Sequence, residues 1–570
     1  MKLWTILNMC ENIADQHKAS GSEMSYALFV EDLRLKFPGE DKLMFKDISF
    51  SAKKGEKVLL LGPSGCGKST LLQVLSGMIP NAIEVPMKCS DQRIPSSWAY
   101  VFQDPDTQFC MPYVDEELAF VLENLGVPQA DMVDRMTEAL QSVGLALQDI
   151  HMPISHLSQG MKQRLALASA LLLQPEVLFL DEPSALLDPE GREQIWETVK
   201  SVSDGRTLII VEHRIEEMAD YVDRVVLFGP DGVILGEGNP EFVFTAFQRE
   251  LKEYGIWYPG VWDDYARSTN GRETFRMLAP EAFGKVNGVY SYADLAGKTG
   301  SLNEGKRMVS PESEGSGPII ELNGVTVLRK QRATVELAQA AVYPGEFIAV
   351  TGPNGAGKST LLLGLMGLLP IEGEYRLGGD LVYSGKKRKE RKLREQMLRR
   401  IGFVFQNPEL QFVTERALDE VAYSLLVDGV IQEQAEQAAR ESLKRFGLGG
   451  LEYRHPYQLS TGQKRRLSVA TAMARQPEVL LLDEPTFGQD ARNTFAILEM
   501  CEELRQAGTA ILMVTHEMNI AEAAATHIWE VRSGCVVSQQ TSSRLTTGFA
   551  GNRSDETQDK RQLILPGVSR

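Results

Sequence analysis

The stretch Val58-Leu59-Leu60-Leu61-Gly62-Pro63-Ser64-Gly65-Cys66-Gly67-Lys68-Ser69-Thr70 runs from apolar residues through a glycine-rich turn into Leu71-Leu72-Gln73-Val74-Leu75. Gly62 and Gly67-Lys68-Ser69 satisfy the spacing G-x-x-x-x-G-K-[ST] of a phosphate-binding loop. Glycines let such a loop curl until successive N–H groups face a phosphate, and the following helix adds its positive end. In this pattern the lysine neutralises β- and γ-phosphates and the serine ligates Mg²⁺. The arrangement recurs as Gly352-Pro353-Asn354-Gly355-Ala356-Gly357-Lys358-Ser359-Thr360, so phosphate chemistry is expected twice.

Two further constellations recur. Val177-Leu178-Phe179-Leu180-Asp181-Glu182-Pro183 and Val479-Leu480-Leu481-Leu482-Asp483-Glu484-Pro485 are apolar runs ending in two carboxylates. Continuous apolarity suits a strand buried on both faces of a parallel sheet, with the acids emerging at its carboxyl end. There Asp181 and Asp483 can hold Mg²⁺, and Glu182 and Glu484 can polarise an attacking water. By itself such a run would be core meeting surface; beside a phosphate-binding loop it reads as catalytic. His213 and His516 each end a further apolar run, 32 and 33 residues after the aspartates, where an imidazole can sense a γ-phosphate.

Correspondences in a fixed order indicate an internal duplication. The lysines are 290 residues apart (358 − 68), Ser158 and Ser460 are 302 apart, and Gln103 and Gln406 are 303 apart. The difference locates an insertion between Lys358 and Gln406, which contains the basic run Lys386-Lys387-Arg388-Lys389-Glu390-Arg391-Lys392. That run reads as a solvated helix face, or alternatively as a contact for anionic lipid.

Leu157-Ser158-Gln159-Gly160-Met161 and Leu459-Ser460-Thr461-Gly462-Gln463 each open a segment rich in Ala and Leu, with a serine suited to cap a helix. In this setting they resemble the signature of ATP-binding cassette (ABC) ATPases, usually LSGGQ. The resemblance covers nearly all of both repeats. It implies an α/β fold of two tandem P-loop NTPase domains. Each would have a mainly parallel core sheet, an antiparallel β subdomain and a helical signature subdomain. It also implies an intramolecular head-to-tail dimer with two ATP·Mg²⁺ sites. One would comprise Lys68, Asp181, Glu182 and His213 under Ser460 and Gly462; the other, Lys358, Asp483, Glu484 and His516 under Ser158 and Gly160. Gln103 and Gln406 would join both the metal and the water.

Around those glutamines, Val101-Phe102-Gln103-Asp104-Pro105-Asp106-Thr107-Gln108-Phe109 and Val404-Phe405-Gln406-Asn407-Pro408-Glu409-Leu410-Gln411-Phe412 share V-F-Q-[DN]-P-x-x-Q-F. The pattern is similar to the ATPases of energy-coupling factor importers, which take up vitamins or cobalt and nickel ions. Thr486-Phe487-Gly488-Gln489-Asp490 is also similar to that group. A fused pair resembles the tandem subunit of thiamine-precursor (hydroxymethylpyrimidine) importers. The implied partners are a transmembrane coupling subunit and a substrate-binding membrane subunit, docked beside Phe109 and Phe412. The implied location is the cytoplasmic face of the cell membrane. The alternative is a tandem ABC protein acting on the ribosome; such proteins carry a charged helical linker and basic character.

Departures from the family pattern are Gln159, Met161 and Thr461 in the signatures. An aromatic for stacking on adenine is available as Phe37, whereas Val327-Leu328-Arg329-Lys330 has none. Cys66, near a helix N-terminus and Lys68, is expected to have a lowered thiol pKa.

The chain has 570 residues, 43% hydrophobic and 24% charged, which suits a soluble protein of more than one domain. A net charge of −17 argues against a general nucleic-acid binder. No run reaches the ~20 apolar residues of a membrane span, and Met1 to Lys18 reads as no signal peptide. Six cysteines without CxxC spacing suit a reducing compartment. The expected organisation is an extension at 1–25, domains at 26–242 and 318–540, an aromatic segment plus flexible linker at 243–317, and a polar tail at 541–570. Tyr254 to Trp262 is too aromatic for a linker and is expected to pack on the first domain; Ala296 to Pro318 is the flexible part.

Overall fold

The computed structural model describes residues 26–270 and 317–541, except 40–41, 217, 331, 384–396 and 398. The N-terminal extension, the basic run, the tail after Thr541 and all but the end of the linker lie outside the described residues. The chain divides into two compact units, one from Met1–Arg307 with Arg399–Glu503, the other from Met308–Leu398 with Leu504–Arg570. The units cut across the duplication, because the helical part of the second repeat belongs to the unit of the first.

In the first unit, a six-stranded sheet runs in the order Ile234–Gly238, Arg224–Phe228, Lys57–Leu61, Thr207–Val211, Val177–Asp181, Trp98–Val101. The five strands after the antiparallel edge Ile234–Gly238 are parallel. Strands 177–181 and 207–211 are buried at every residue, as their unbroken apolarity requires. Register then decides where the chemistry emerges. Leu60 and Asp181 both pair with Val211, and Val101 pairs with Leu180. Gly62, Asp181, Glu212 and Phe102 therefore leave the sheet along one carboxyl edge, where open α/β sheets bind ligands.

The expected antiparallel layer is present: Tyr26–Leu35 pairs with Phe45–Lys53 around the turn at Pro38-Gly39. It covers the phosphate-loop helix Lys68–Leu75, and Leu28, Val30, Phe45, Leu71 and Leu75 share one apolar core. The helical part of the second repeat adds the parallel pair Ile401–Val404 and Val479–Asp483 and the helices Ala417–Val427, Gln432–Arg445 and Thr461–Met473.

In the second unit, Phe347–Thr351 lies between Ala510–Val514 and His527–Arg532, all parallel. Its antiparallel layer is larger, with Ile320–Arg329 paired to both Arg332–Val342 and Ile371–Leu377, and Asp380–Tyr383 at the edge. The first repeat has only the short strands Met87–Lys88 and Asp91–Arg93 at this place. The longer hairpin is part of the insertion that the offsets locate.

Candidate functional site

Gly62 follows strand 57–61 so closely beneath strand 224–228 that a Cβ there would lie 2.8 Å from Phe228 Cβ and 2.9 Å from Cys66 Sγ. Gly67 caps the helix at φ 102°, a left-handed backbone that glycine adopts without strain. Lys68 Nζ donates to Gly62 O at 2.8 Å and to Pro63 O at 3.1 Å, inside the loop it would share with phosphates. Ser69 Oγ donates to Asp181 Oδ1 at 2.7 Å, so the hydroxyl and carboxylate expected to flank a cation are in contact. Burial pushes the Asp181 carboxyl up, against the hydrogen bonds from Ser69 and Tyr100.

Glu182 is the next residue, at φ 49°, and Glu484 repeats this at φ 47°. A left-handed backbone at a non-glycine residue costs on the order of 1–3 kcal/mol and collects at functional sites. The Glu182 N–H is held by Val211 O at 2.8 Å. Its carboxylate accepts from Gln103 Nε2 at 2.9 Å and pairs with His213 Nε2 at 2.9 Å. Burial opposes ionisation of Glu182, but His213 and then Lys68 outweigh it and hold the carboxyl below its usual range. The structure thus brings Lys68, Ser69, Gln103, Asp181, Glu182 and His213 to one edge.

The second set is divided between the units. In the first unit Gln406 Nε2 donates to Glu484 at 2.7 Å, the same pairing as Gln103 with Glu182. In the second unit Lys358 Nζ donates to Gly352 O at 2.7 Å and to Pro353 O at 3.0 Å, repeating Lys68. Gly352, Gly355 and Gly357 all have positive φ. His516 follows strand 510–514 of that unit.

Residues 45–185 and 336–487 match the family described as ABC transporter. The chain belongs to that family. It is 37% identical over 514 residues, 87% of this chain and 88% of the relative, to the "Putative HMP/thiamine import ATP-binding protein YkoD" of Bacillus subtilis (strain 168). It is 31% identical over 532 residues, 89% of this chain and 84% of the relative, to a "Putative ABC transporter ATP-binding protein" of Methanosarcina acetivorans. A solved structure, "Structure of cbiO1 from clostridium perfringens: Part of the ABC transporter complex cbiONQ", is 31% identical, covering 40% of this chain and 95% of that one with a TM-score of 0.34. The protein is therefore a tandem ABC ATPase, the ATP-binding subunit of a transporter. These relatives give no support to the ribosome-acting alternative.

Both ABC signatures sit where the sequence places them, opening helices Gln159–Leu171 and Thr461–Met473. Ser158 Oγ accepts from Met161 N and Ser460 Oγ from Gln463 N, each at 3.3 Å. Only the second closes the reciprocal bond, Ser460 N to Gln463 Oε1 at 2.9 Å, because Met161 has no acceptor to return. Gly462 packs closely enough that a Cβ would lie 2.5 Å from Asn493 Nδ2, whereas one at Gly160 would be 3.9 Å from Leu187.

Two expectations need correction. Cys66 is 1% exposed, and burial pushes its thiol up despite Lys68, so it is no reactive thiolate. Its place in the loop is structural, against Gly62. Phe412 is 8% exposed and belongs to the core; Leu410, Val413 and Tyr457 are the exposed apolar side chains around it. Phe109 is half-buried. Phe37 is half-buried just after strand 26–35 and packs on the apolar core of the first repeat.

Several contacts around these residues were not expected from the sequence. The Tyr100 hydroxyl donates to Asp181 Oδ2 at 2.7 Å, where the second repeat has Phe403. The buried carboxylates Glu117 and Glu420 each accept two backbone N–H groups just after the Q-F motifs, from Cys110 and Met111 and from Val413 and Thr414. Gln108 Nε2 donates to Ala166 O and Gln411 Nε2 to Ser468 O, tying each motif to its signature helix. The recurrence of both pairs in the repeats was the available signal.

Proposed function

We propose that this chain energises an importer of the energy-coupling factor type for a vitamin, a vitamin precursor or a transition-metal ion. The carrying observation is the similarity over 87% of the chain to a protein named for HMP/thiamine import. Both copies of V-F-Q-[DN]-P-x-x-Q-F support it, with their second glutamines holding the signature helices. The partners would be a transmembrane coupling subunit and a substrate-binding membrane subunit. Among the described residues no helix is long and apolar enough to cross a membrane, so membrane contact would run through them.

The residues divide the chemistry as follows. Lys68 and Lys358, with the loop N–H groups, would take the phosphates. Ser69 with Asp181, and Ser359 with Asp483, would hold Mg²⁺; the donors are oxygens, as that ion requires. Among the described residues no three His, Cys, Asp or Glu are grouped for a metal. This suits an ion that uses one or two carboxylates plus substrate phosphates. When bound, the ion would screen charge on the β- and γ-oxygens. Glu182, kept ionised by His213, would accept a proton from the attacking water, and Gln103 would orient both.

Electrostatic stabilisation of the transferring phosphoryl group is the main catalytic term in such sites. Lys68→Ala with Lys358→Ala should therefore abolish phosphate release while thermal melting stays cooperative. Normal turnover in the folded double variant would overturn the site assignment.

A further inference from the structure

The segment after the first repeat is helical and buried, not a surface strap. Gly255, at φ 68°, ends helix Gln248–Tyr254, and Ile256, Trp257, Tyr258, Val261 and Tyr265 are each at most 5% exposed. Its partner is not the first repeat alone, as expected from the sequence. It lies on the start of helix Ala491–Gln506 of the second repeat, within the same compact unit. Ala491 N donates to Gly255 O at 3.0 Å, and a Cβ at Gly255 would fall 2.2 Å from Arg492 Cβ. Phe495 is met by Trp257, Trp262 and Tyr265, the last stacked at 4.4 Å.

Trp257 makes two contacts that packing does not require. Its indole N–H donates to Gln489 O at 3.1 Å, in the loop that follows Asp483-Glu484 of the second repeat. Its ring lies under the Arg214 guanidinium, 3.7 Å from centroid to carbon. Arg214 directly follows His213, which holds Glu182. Burial pushes the pKa of Asp490, next to Gln489, up, against the Asn493 N–H and then the charges of His213, Arg466 and Arg492. At matching positions in the other repeat, Arg214 becomes Glu517 and Gln489 becomes Leu187.

We propose that Trp257 is a positioning residue for ATP hydrolysis at Glu182, joining the His213-Arg214 loop of one cassette to the Gln489-Asp490 loop of the other. The inference rests on the reading of Glu182 and His213 as the water-activating pair. A ring held on both sides fixes two loops with one side chain. Shifting His213 by about 1 Å relative to Glu182 can cost on the order of 10²-fold in rate. A guanidinium over a buried indole is attracted by the ring's negative face more strongly than at an exposed site, so the contact favours one placement of the two loops.

The test uses the full chain in two backgrounds, Glu484→Gln, which leaves only the Glu182 site, and Glu182→Gln, which leaves only the other. In the first, Trp257→Ala should lower kcat roughly 10- to 100-fold, with KM for ATP changed less than about 2-fold. Trp257→Phe, which keeps the ring under Arg214 and loses the N–H, should fall between. In the second background both variants should change kcat by less than about 2-fold. Equal losses in the two backgrounds, or an unchanged kcat in Trp257→Phe and Trp257→Ala alike, would overturn the proposal and leave the segment a packing element. Should Trp257→Ala fail to melt cooperatively, the Phe variant decides. Full turnover in Glu182→Gln combined with Glu484→Gln would instead overturn the reading of the glutamates.

Discussion

Glu212 shows how much one side chain can hold. It precedes His213, is fully buried, and accepts from Ser184 Oγ at 2.7 Å and from the His213 N–H at 2.9 Å. Burial first, then the charge of Glu182, pushes its pKa up from 4.5 to about 7, against Ser184 and His213. The folded protein therefore keeps a proton that the unfolded chain releases between those values. Stability from this group is complete below about pH 4.5 and is lost as pH rises through 7. At about 1.4 kcal/mol per pKa unit the loss is on the order of 3 kcal/mol. Glu212→Gln keeps an acceptor for Ser184 and cannot ionise. Thermal melts should show the variant gaining on the parent as pH rises from about 5 to 8, then running parallel to it. A difference independent of pH would refute the carboxyl as the source. The second repeat carries Thr515 here, a contrast visible in the sequence, but the burial that gives it meaning is not.

At the scale of elements, the V-F-Q-[DN]-P-x-x-Q-F motif is a joint between a loop and a helix. Gln108 is 5% exposed and bonds Ala166 O, while Lys162 of the same helix pairs with Asp106 in solvent. The two ties should differ in strength. Gln108→Leu leaves buried polar atoms without a side-chain partner, which costs about 1–3 kcal/mol. Asp106→Ala removes a pair whose acid is half exposed and should cost at most about 1 kcal/mol. Urea unfolding of the two variants separates them; equal losses would mean that the motif does not brace the helix through Gln108. The strands, loops and capping serines were legible because glycine spacing and unbroken apolarity are local signals. The joint was legible only as a pattern, since Ala166 contributes a carbonyl that no residue type announces. The aromatic segment was recognised as buried, but Phe495 as its partner depends on a contact more than 200 residues away, which no periodicity encodes.

For the molecule as a whole, duplication followed by divergence should make the two ATP sites unequal, with the Glu182 site faster. Its signature would be Ser460-Thr461-Gly462-Gln463, with a closed capping box and a glycine packed so tightly that a side chain would strike Asn493. Its Asp181 carries the extra Tyr100 hydroxyl, and its histidine loop is joined through Arg214 to Trp257. The other site would be closed by Ser158-Gln159-Gly160-Met161, whose cap lacks the return bond and whose Gln159 would add bulk where the backbone would have to approach a phosphate. It nonetheless keeps Lys358 within its loop and Gln406 on Glu484, so slower turnover is expected rather than none. Glu182→Gln should consequently remove more steady-state phosphate release than Glu484→Gln, with both variants purified alongside their membrane partner. Each glutamate has the same left-handed backbone and the same glutamine partner, so the substitutions disturb equivalent settings. A difference between them would thus report the rest of each site. Equal losses, or a larger loss from Glu484→Gln, would show that signature, tyrosine and aromatic join do not set the rate.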